Sequence, residues 1–234
     1  MKKIVLWGLT ASPYQLKMQA LLDYAGIAWE RWPEQAGRLP ALAMELRLRA
    51  ARRRGAVRRY PRMEEGLDEY PAVPYYTLDG RTFFYDSSSL AAHLDAHPDR
   101  GSEPLLPQAP ALAFLCHLVD EAYDEFGLYR VHHQRWVGSA RSNRMGEFTA
   151  REMGLPRLRV PARAEQLRRR QVRRCPYLFS VAPRGYDCGV SAARTPPARP
   201  GFPPTHELLD SAWHAYLDAM EQLLQRQPYL LGER

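Results

Sequence analysis

The sequence predicts an α/β domain over residues 1–98, a linker over 99–110 and an all-α domain over 111–234. Three observations lead there. A strand-helix-strand order opens the chain. Two aromatic segments flank an Asp-Gly turn at Asp79 and Gly80. The second half repeats apolar residues at spacings of three and four.

Residues 3–7 read as the first strand, aliphatic and bounded by Gly8. Residues 12–25 read as a helix. Pro13 suits its first position, where the missing N–H costs nothing, and Met18, Leu21, Leu22 and Ala25 supply an apolar stripe. Gly26 fits the left-handed position that ends a helix. Residues 27–32 follow as a second strand, and so short a return implies a parallel pair with a crossover. Residues 39–54 form an Arg-rich helix carrying Leu39, Leu42, Leu46 and Ala50. Residues 75–78 and 82–85 are aromatic strands around Asp79-Gly80, the strongest short hairpin signal. Asp86-Ser87-Ser88-Ser89 then opens a helix through Leu90, Leu94 and His97, closed by Pro98. Strand, helix, strand, helix, hairpin, helix is the order of a thioredoxin-like domain. Past the linker, Leu112, Leu115, Val119, Ala122 and Phe126 mark one buried helix stripe, and Leu209, Trp213, Leu217, Met220 and Leu224 mark another. Residues 175–204, with Pro183, Gly185, Gly189, Pro196, Pro197 and Pro200, read as a long irregular loop.

Composition narrows the function classes. The 234 residues are 45% hydrophobic and 25% charged, ordinary for a globular chain with a sizeable core. No run of about 18 apolar residues exists, which excludes a spanning helix. The first apolar stretch meets Thr10, Ser12 and Pro13 too soon for a signal peptide. The expectation is a cytoplasmic protein without a membrane partner. Cys116, Cys175 and Cys188 stand at neither metal nor redox spacing, and their odd number implies free thiols. The net charge of +7 concentrates in two Arg-rich segments, residues 38–62 and 157–174. Such segments are either solvated helix faces or surfaces for nucleic acid and other polyanions.

Three places carry candidate chemistry. Ser12-Pro13-Tyr14-Gln15 stands at a helix N-terminus, where free N–H groups and a partial positive charge stabilise a thiolate. The Ser12 hydroxyl can donate to a sulfur anion, though a serine there is equally an ordinary cap. Val73-Pro74 precedes a strand and is a candidate cis peptide, with backbone groups able to pair with a peptide-like ligand. The alternative is a trans proline opening an edge strand. Asp86-Ser87 starts a second helix. There Ser87 and nearby N–H groups could hold a carboxylate and Asp86 an ammonium, or the pair could simply cap.

In order and spacing, Ser12-Pro13-Tyr14, Val73-Pro74 and Asp86-Ser87 resemble the glutathione transferase superfamily. There a strand leads into a Ser-Pro-aromatic or Cys-Pro-aromatic turn, a Val-Pro precedes the hairpin, and an acid-Ser pair starts the next helix. Ser88-Ser89-Leu90-Ala91-Ala92-His93-Leu94 also looks like the family's third helix, and the likeness covers residues 3–97. It implies glutathione as co-substrate, with Ser12 activating its thiol and Tyr14 as a second candidate hydroxyl. It implies Val73 and Pro74 as the backbone anchor, Asp86 and Ser87 as γ-glutamyl contacts, and a homodimer. Trp7 occupies the strand end where some classes of the family carry a catalytic Tyr.

The wall of an electrophile pocket would come from Tyr123, Phe126 and Tyr129, with His132, His133 and Trp136 nearby. His132-His133 lacks a third ligand at useful spacing, so no metal is expected. The chain departs from the family in its long basic stretch, residues 37–70. That stretch either distorts the site for the glutathione glycine end or supplies an Arg for its carboxylate. Residues 225–234 resemble the segment before the family's buried helix, which implies a helical domain incomplete at Arg234.

The implied activity is conjugation of the glutathione thiolate to a hydrophobic electrophile. A thiol-disulfide exchange role would need Cys at Ser12 and usually at Gln15. The rival reading is a non-catalytic module of the same fold whose Arg-rich segments bind a polyanion or a protein partner.

Overall fold

The computed structural model describes residues 3–59, 73–96, 104–127, 131, 135–136, 142–153, 156–179 and 205–232. They fall into two compact units, residues 1–106 with 149–157 and residues 107–148 with 158–234.

In the first unit β1 (Ile4–Trp7), α1 (Pro13–Tyr24), β2 (Trp29–Trp32), α2 (Arg38–Arg53), β3 (Arg58–Arg59), β4 (Tyr75–Thr77), β5 (Phe84–Tyr85) and α3 (Ser87–Asp95) follow in chain order. The strands form one sheet in the order β2-β1-β4-β5-β3. β1 runs parallel to β2, with Ile4 opposite Trp29 and Trp7 opposite Trp32. It runs antiparallel to β4, with Trp7 opposite Tyr75. β5 returns antiparallel to β4, with Tyr75 opposite Tyr85. β3, which the basic composition of its neighbourhood concealed, pairs in parallel with β5 at the far edge.

Side chains on a strand alternate between faces, and this alternation makes two cores. Ile4 and Leu6 pack with Tyr76, with Met18 and Leu22 of α1, and with Leu90 and Leu94 of α3. Val5 and Trp7 turn the other way, against Met44, Leu48 and Ala51 of α2 together with Tyr75 and Phe83. A mixed sheet with α1 and α3 on one face and α2 on the other is a thioredoxin-like α/β domain. The α1 stripe predicted from spacing is buried through Met18 and Leu22. On α2 the outcome differs. The buried stripe is Met44, Leu48 and Ala51, while Leu39, Leu42 and Leu46 are exposed. A helix with apolar residues all round has two candidate faces, and packing against the sheet selects one.

The β4–β5 connection is longer than the spacing suggested, because the strands stop at Thr77 and restart at Phe84. Gly80 takes φ +70, as the turn requires. The Asp79 carboxylate accepts from the backbone N–H of Arg81 (2.8 Å) and Thr82 (2.7 Å) and from the Thr82 hydroxyl (2.9 Å). These bonds satisfy a turn that lacks ladder partners.

The second unit is helical among the described residues. α4 (Pro110–Ala122) runs into a π-helical turn (Tyr123–Gly127), then come α5 (Arg144–Glu152), a 3-10 turn (Arg157–Arg159), α6 (Val160–Phe179) and α7 (Thr205–Leu224). Thr149 to Glu152 of α5 belong to the first unit. The α4 stripe expected to be buried is not: Leu112 and Leu115 are exposed, and α4 buries no residue fully. Periodicity shows that a helix has an apolar face and leaves open what covers it. α6 continues to Phe179, so the predicted irregular loop starts later than residue 175, and residues 180–204 lie outside the described residues. So do His97 and Pro98. Among the described residues no helix is long and apolar enough to cross a membrane.

Burial raises the Asp79 pKa, but the hydrogen bonds from Thr82, Arg81 and Thr77 outweigh it and hold the carboxyl down at about 2. A depressed carboxylate stabilises the fold above its unfolded pKa, about 3.9, and that contribution is lost as pH falls through the folded value. Asp79→Asn should therefore flatten the fall in melting temperature between about pH 4 and about pH 2. An unchanged pH profile would show that the turn contributes nothing.

Candidate functional site

The sheet register brings the three sequence candidates to one edge. β1 ends at Trp7, which faces Tyr75 at the start of β4. Tyr75 in turn faces Tyr85 at the end of β5. The loop carrying Ser12, the Val73-Pro74 peptide and the Asp86-Ser87 pair thus all leave the sheet at the same end. α1 and α3 share a face and a core, so their N-termini lie on the same side.

Each candidate has a defined local setting. Ser12 occupies the N-cap of α1 with extended φ and ψ, but its side chain makes no capping bond. The hydroxyl is therefore not spent on the helix, and no acidic residue in the first turn offsets the positive helix end. Tyr14 is half-buried on that turn. Val73-Pro74 is a cis peptide, as is Trp32-Pro33, and Val73 is exposed. Asp86 caps α3, its Oδ1 accepting from the Ser89 N–H at 2.8 Å. It does so at φ +80, a region that non-glycine residues adopt at a cost of about 1–3 kcal/mol. Ser87 is buried, while Asp86 is half-buried.

Two further residues belong to this edge. Gln15, three positions after Ser12, is fully buried, and neither its Oε1 nor its Nε2 has a hydrogen-bond partner among the described residues. It packs so closely against Gly8 that a Cβ there would stand 2.0 Å from Gln15 Oε1, and the same Cβ would be 3.0 Å from Pro74 Cβ. Glu152, from the end of α5, is the second. Its Oε1 accepts from the Thr10 N–H at 2.6 Å and from the Thr10 hydroxyl. Arg31 of β2 lies 3.7 Å from the same oxygen and also donates to the Thr10 hydroxyl. The loop between β1 and α1 is thus tied at Gly8, whose N–H bonds the Trp32 carbonyl, at Thr10, and at Ser12, whose N–H bonds the Leu9 carbonyl. Gly8 was legible as the end of a strand. Glu152 gave no signal, because its partner is 142 positions away.

The residues expected to wall an electrophile pocket lie in the second unit. Tyr123 lines an apolar cavity of about 360 Å³ with Val119, Trp213, Tyr216, Met220 and Leu230. Its ring meets Tyr216 edge-on at 5.6 Å, its hydroxyl bonds Met220 Sδ at 3.3 Å, and burial raises its phenol pKa. The Phe126 side chain and Tyr129, His132 and His133 lie outside the described residues. Among the described residues no three His, Cys, Asp or Glu side chains gather as a metal would require.

No known protein-family profile matches this chain. No curated protein sequence matches it either. Among solved structures, the chain is similar to a crystal structure of a glutathione S-transferase from Pseudomonas fluorescens Pf-5, with 15% identity and a TM-score of 0.32, over 99% of this chain and 76% of the other. A likeness at this level does not bear on activity.

Gly8→Ala should destabilise the first unit by about 1–3 kcal/mol, since both the carboxamide and the proline ring block the new methyl. Urea unfolding measures this, and a change below the error of the midpoint would show that Gln15 yields freely. Thr10→Val and Glu152→Gln should each cost about 1–3 kcal/mol. The double variant should cost less than their sum, because both weaken the same bond from the Thr10 hydroxyl to Glu152 Oε1. Strict additivity would mean that the pair is not coupled.

Proposed function

We propose that the chain is a glutathione transferase, binding glutathione at the sheet edge of the first unit. The reading rests on one observation: two helix N-termini and the Val73-Pro74 segment meet at one end of one sheet, with the Ser12 hydroxyl uncommitted to capping. A small acidic thiol peptide matches such a place. Its carboxylate would take the amides at the start of α3. Its backbone would pair beside Val73 as an added strand does. Its sulfur would lie at the start of α1.

Ser12 Oγ–H donates to the sulfur there, and the α1 dipole adds a partial positive charge, so the thiolate gains over the thiol near neutral pH. The thiol proton passes to solvent. The sulfur lone pair forms a bond to an electrophilic carbon, and the displaced electron pair leaves with a leaving group or enters an adjacent double bond. Tyr14 is the second hydroxyl in reach of the same turn.

Retention on immobilised glutathione and conjugation of a chloro-nitro-aromatic test the reading together. Ser12→Ala should lower kcat/KM for conjugation by about 10²–10³-fold, the usual loss on removing one donor to a developing anion, while leaving the unfolding midpoint unchanged. Unchanged conjugation would remove Ser12 from the mechanism and pass its role to Tyr14. Failure of the wild-type chain to bind glutathione at all would leave the non-catalytic module as the surviving account.

A further inference from the structure

Helix α2 is apolar on two opposite faces. Met44, Leu48 and Ala51 are buried against the sheet. Leu39, Leu42, Leu46 and Ala50, at i, i+3, i+7 and i+11, form a second stripe on the opposite side, since 3.6 residues make a turn. These leucines face water, at 79%, 56% and 57% exposure. Single exposed leucines are ordinary, but aligned ones rimmed by charge mark an interaction surface.

The rim is arginine. By the same helical period, Arg47 and Arg54 flank one edge of the stripe, Arg38 and Arg49 flank the other, and Arg53 closes its C-terminal end. All five are exposed. Only Arg49 has an acidic neighbour on the helix, Glu45 at 2.6 Å. Arg47 reaches the Gly80 carbonyl at 3.3 Å. Arg38, Arg53 and Arg54 make no ion pair or hydrogen bond through their side chains among the described residues. The other basic helix, α6, behaves differently. Glu165 there accepts from both Arg168 and Arg169, and these bonds hold its carboxyl at about 2. The charge of α6 is partly answered from within, whereas among the described residues only Arg49 of these five α2 arginines has an acidic partner.

We propose that the outer face of α2 docks the protein on an anionic membrane surface. Charge complementarity requires a negative partner, and the leucines require one that also takes up apolar side chains. A nucleic-acid backbone would use the arginines and leave the leucines in water. A bilayer interface uses both, with the stripe among the upper acyl carbons and the guanidinium groups at phosphate depth. The helix stays in the plane of the interface because its opposite face is fixed to the sheet. No spanning segment is needed, so the absence of one carries no weight against this. The inference does not depend on the glutathione reading.

Co-sedimentation of the full chain with phosphatidylcholine vesicles, with and without phosphatidylserine, tests it. The wild type should bind only the vesicles containing phosphatidylserine, and binding should weaken as salt rises. Leu42→Ser with Leu46→Ser, and separately Arg47→Glu with Arg54→Glu, should each weaken that binding by at least about tenfold. Circular dichroism should stay unchanged, since all four side chains are exposed. Four results would overturn the proposal: no binding to the anionic vesicles, binding that ignores the leucine pair, preference for polyuridylate or polyglutamate over vesicles, or a wild-type dimer that the leucine variant converts to monomer.

Discussion

Strand β1 pairs in parallel with β2 and antiparallel with β4, and its four side chains divide between two cores. Ile4 and Leu6 hold α1 and α3 on one face, while Val5 and Trp7 hold α2 on the other. The register of this one strand decides where the loop to Ser12 leaves the sheet and which peptide stands beside it. A slip by one residue would exchange the faces of all four side chains. The site is in that sense an outcome of sheet register: Trp7 opposite Tyr75, and Tyr75 opposite Tyr85, bring three distant segments together.

Around that edge the protein accepts local costs. Asp86 sits at φ +80 to place its carboxylate over the first turn of α3. Gln15 is buried with its carboxamide unpartnered, an arrangement that ordinarily costs about 1–3 kcal/mol. Glu152 Oε2 is buried without a hydrogen bond, although Oε1 is fully engaged. Departures of this kind tend to gather where a structure serves something other than its own stability.

Much of the first unit could be read from the residues. The aliphatic run before Gly8, Pro13 at a helix start and Gly26 after a helix end each have one cheap conformation, and the structure uses it; Asp79-Gly80 marked the hairpin but not the length of its loop. What escaped reading was whatever depends on a distant partner. Leu39, Leu42 and Leu46 are as apolar as Met44 and Leu48, and only the position of the sheet separates the two faces of α2. The short strand β3 forms because β5 lies beside it, against the composition of Arg58-Arg59. The α4 stripe was visible as a period, but a period says nothing of a cover. Of the site, the three local helix and proline signals were legible. Thr10, Arg31 and Glu152 were not, since none of them forms a pattern with its sequence neighbours, and Gln15 was visible as part of the Ser12-Pro13-Tyr14-Gln15 turn but not as a buried carboxamide.

The sheet ends in charge on both sides. One margin is β3, two arginines long, and the other is β2, where Glu30 is bound by Lys3 and Arg31 by Glu34. An outer strand with bare amides invites a strand from another molecule, and a brief, highly charged margin repels one. Among the described residues, growth of the sheet into stacked assemblies is therefore disfavoured at both borders. The protein can carry an unusually apolar helix surface without also offering a template for fibre formation.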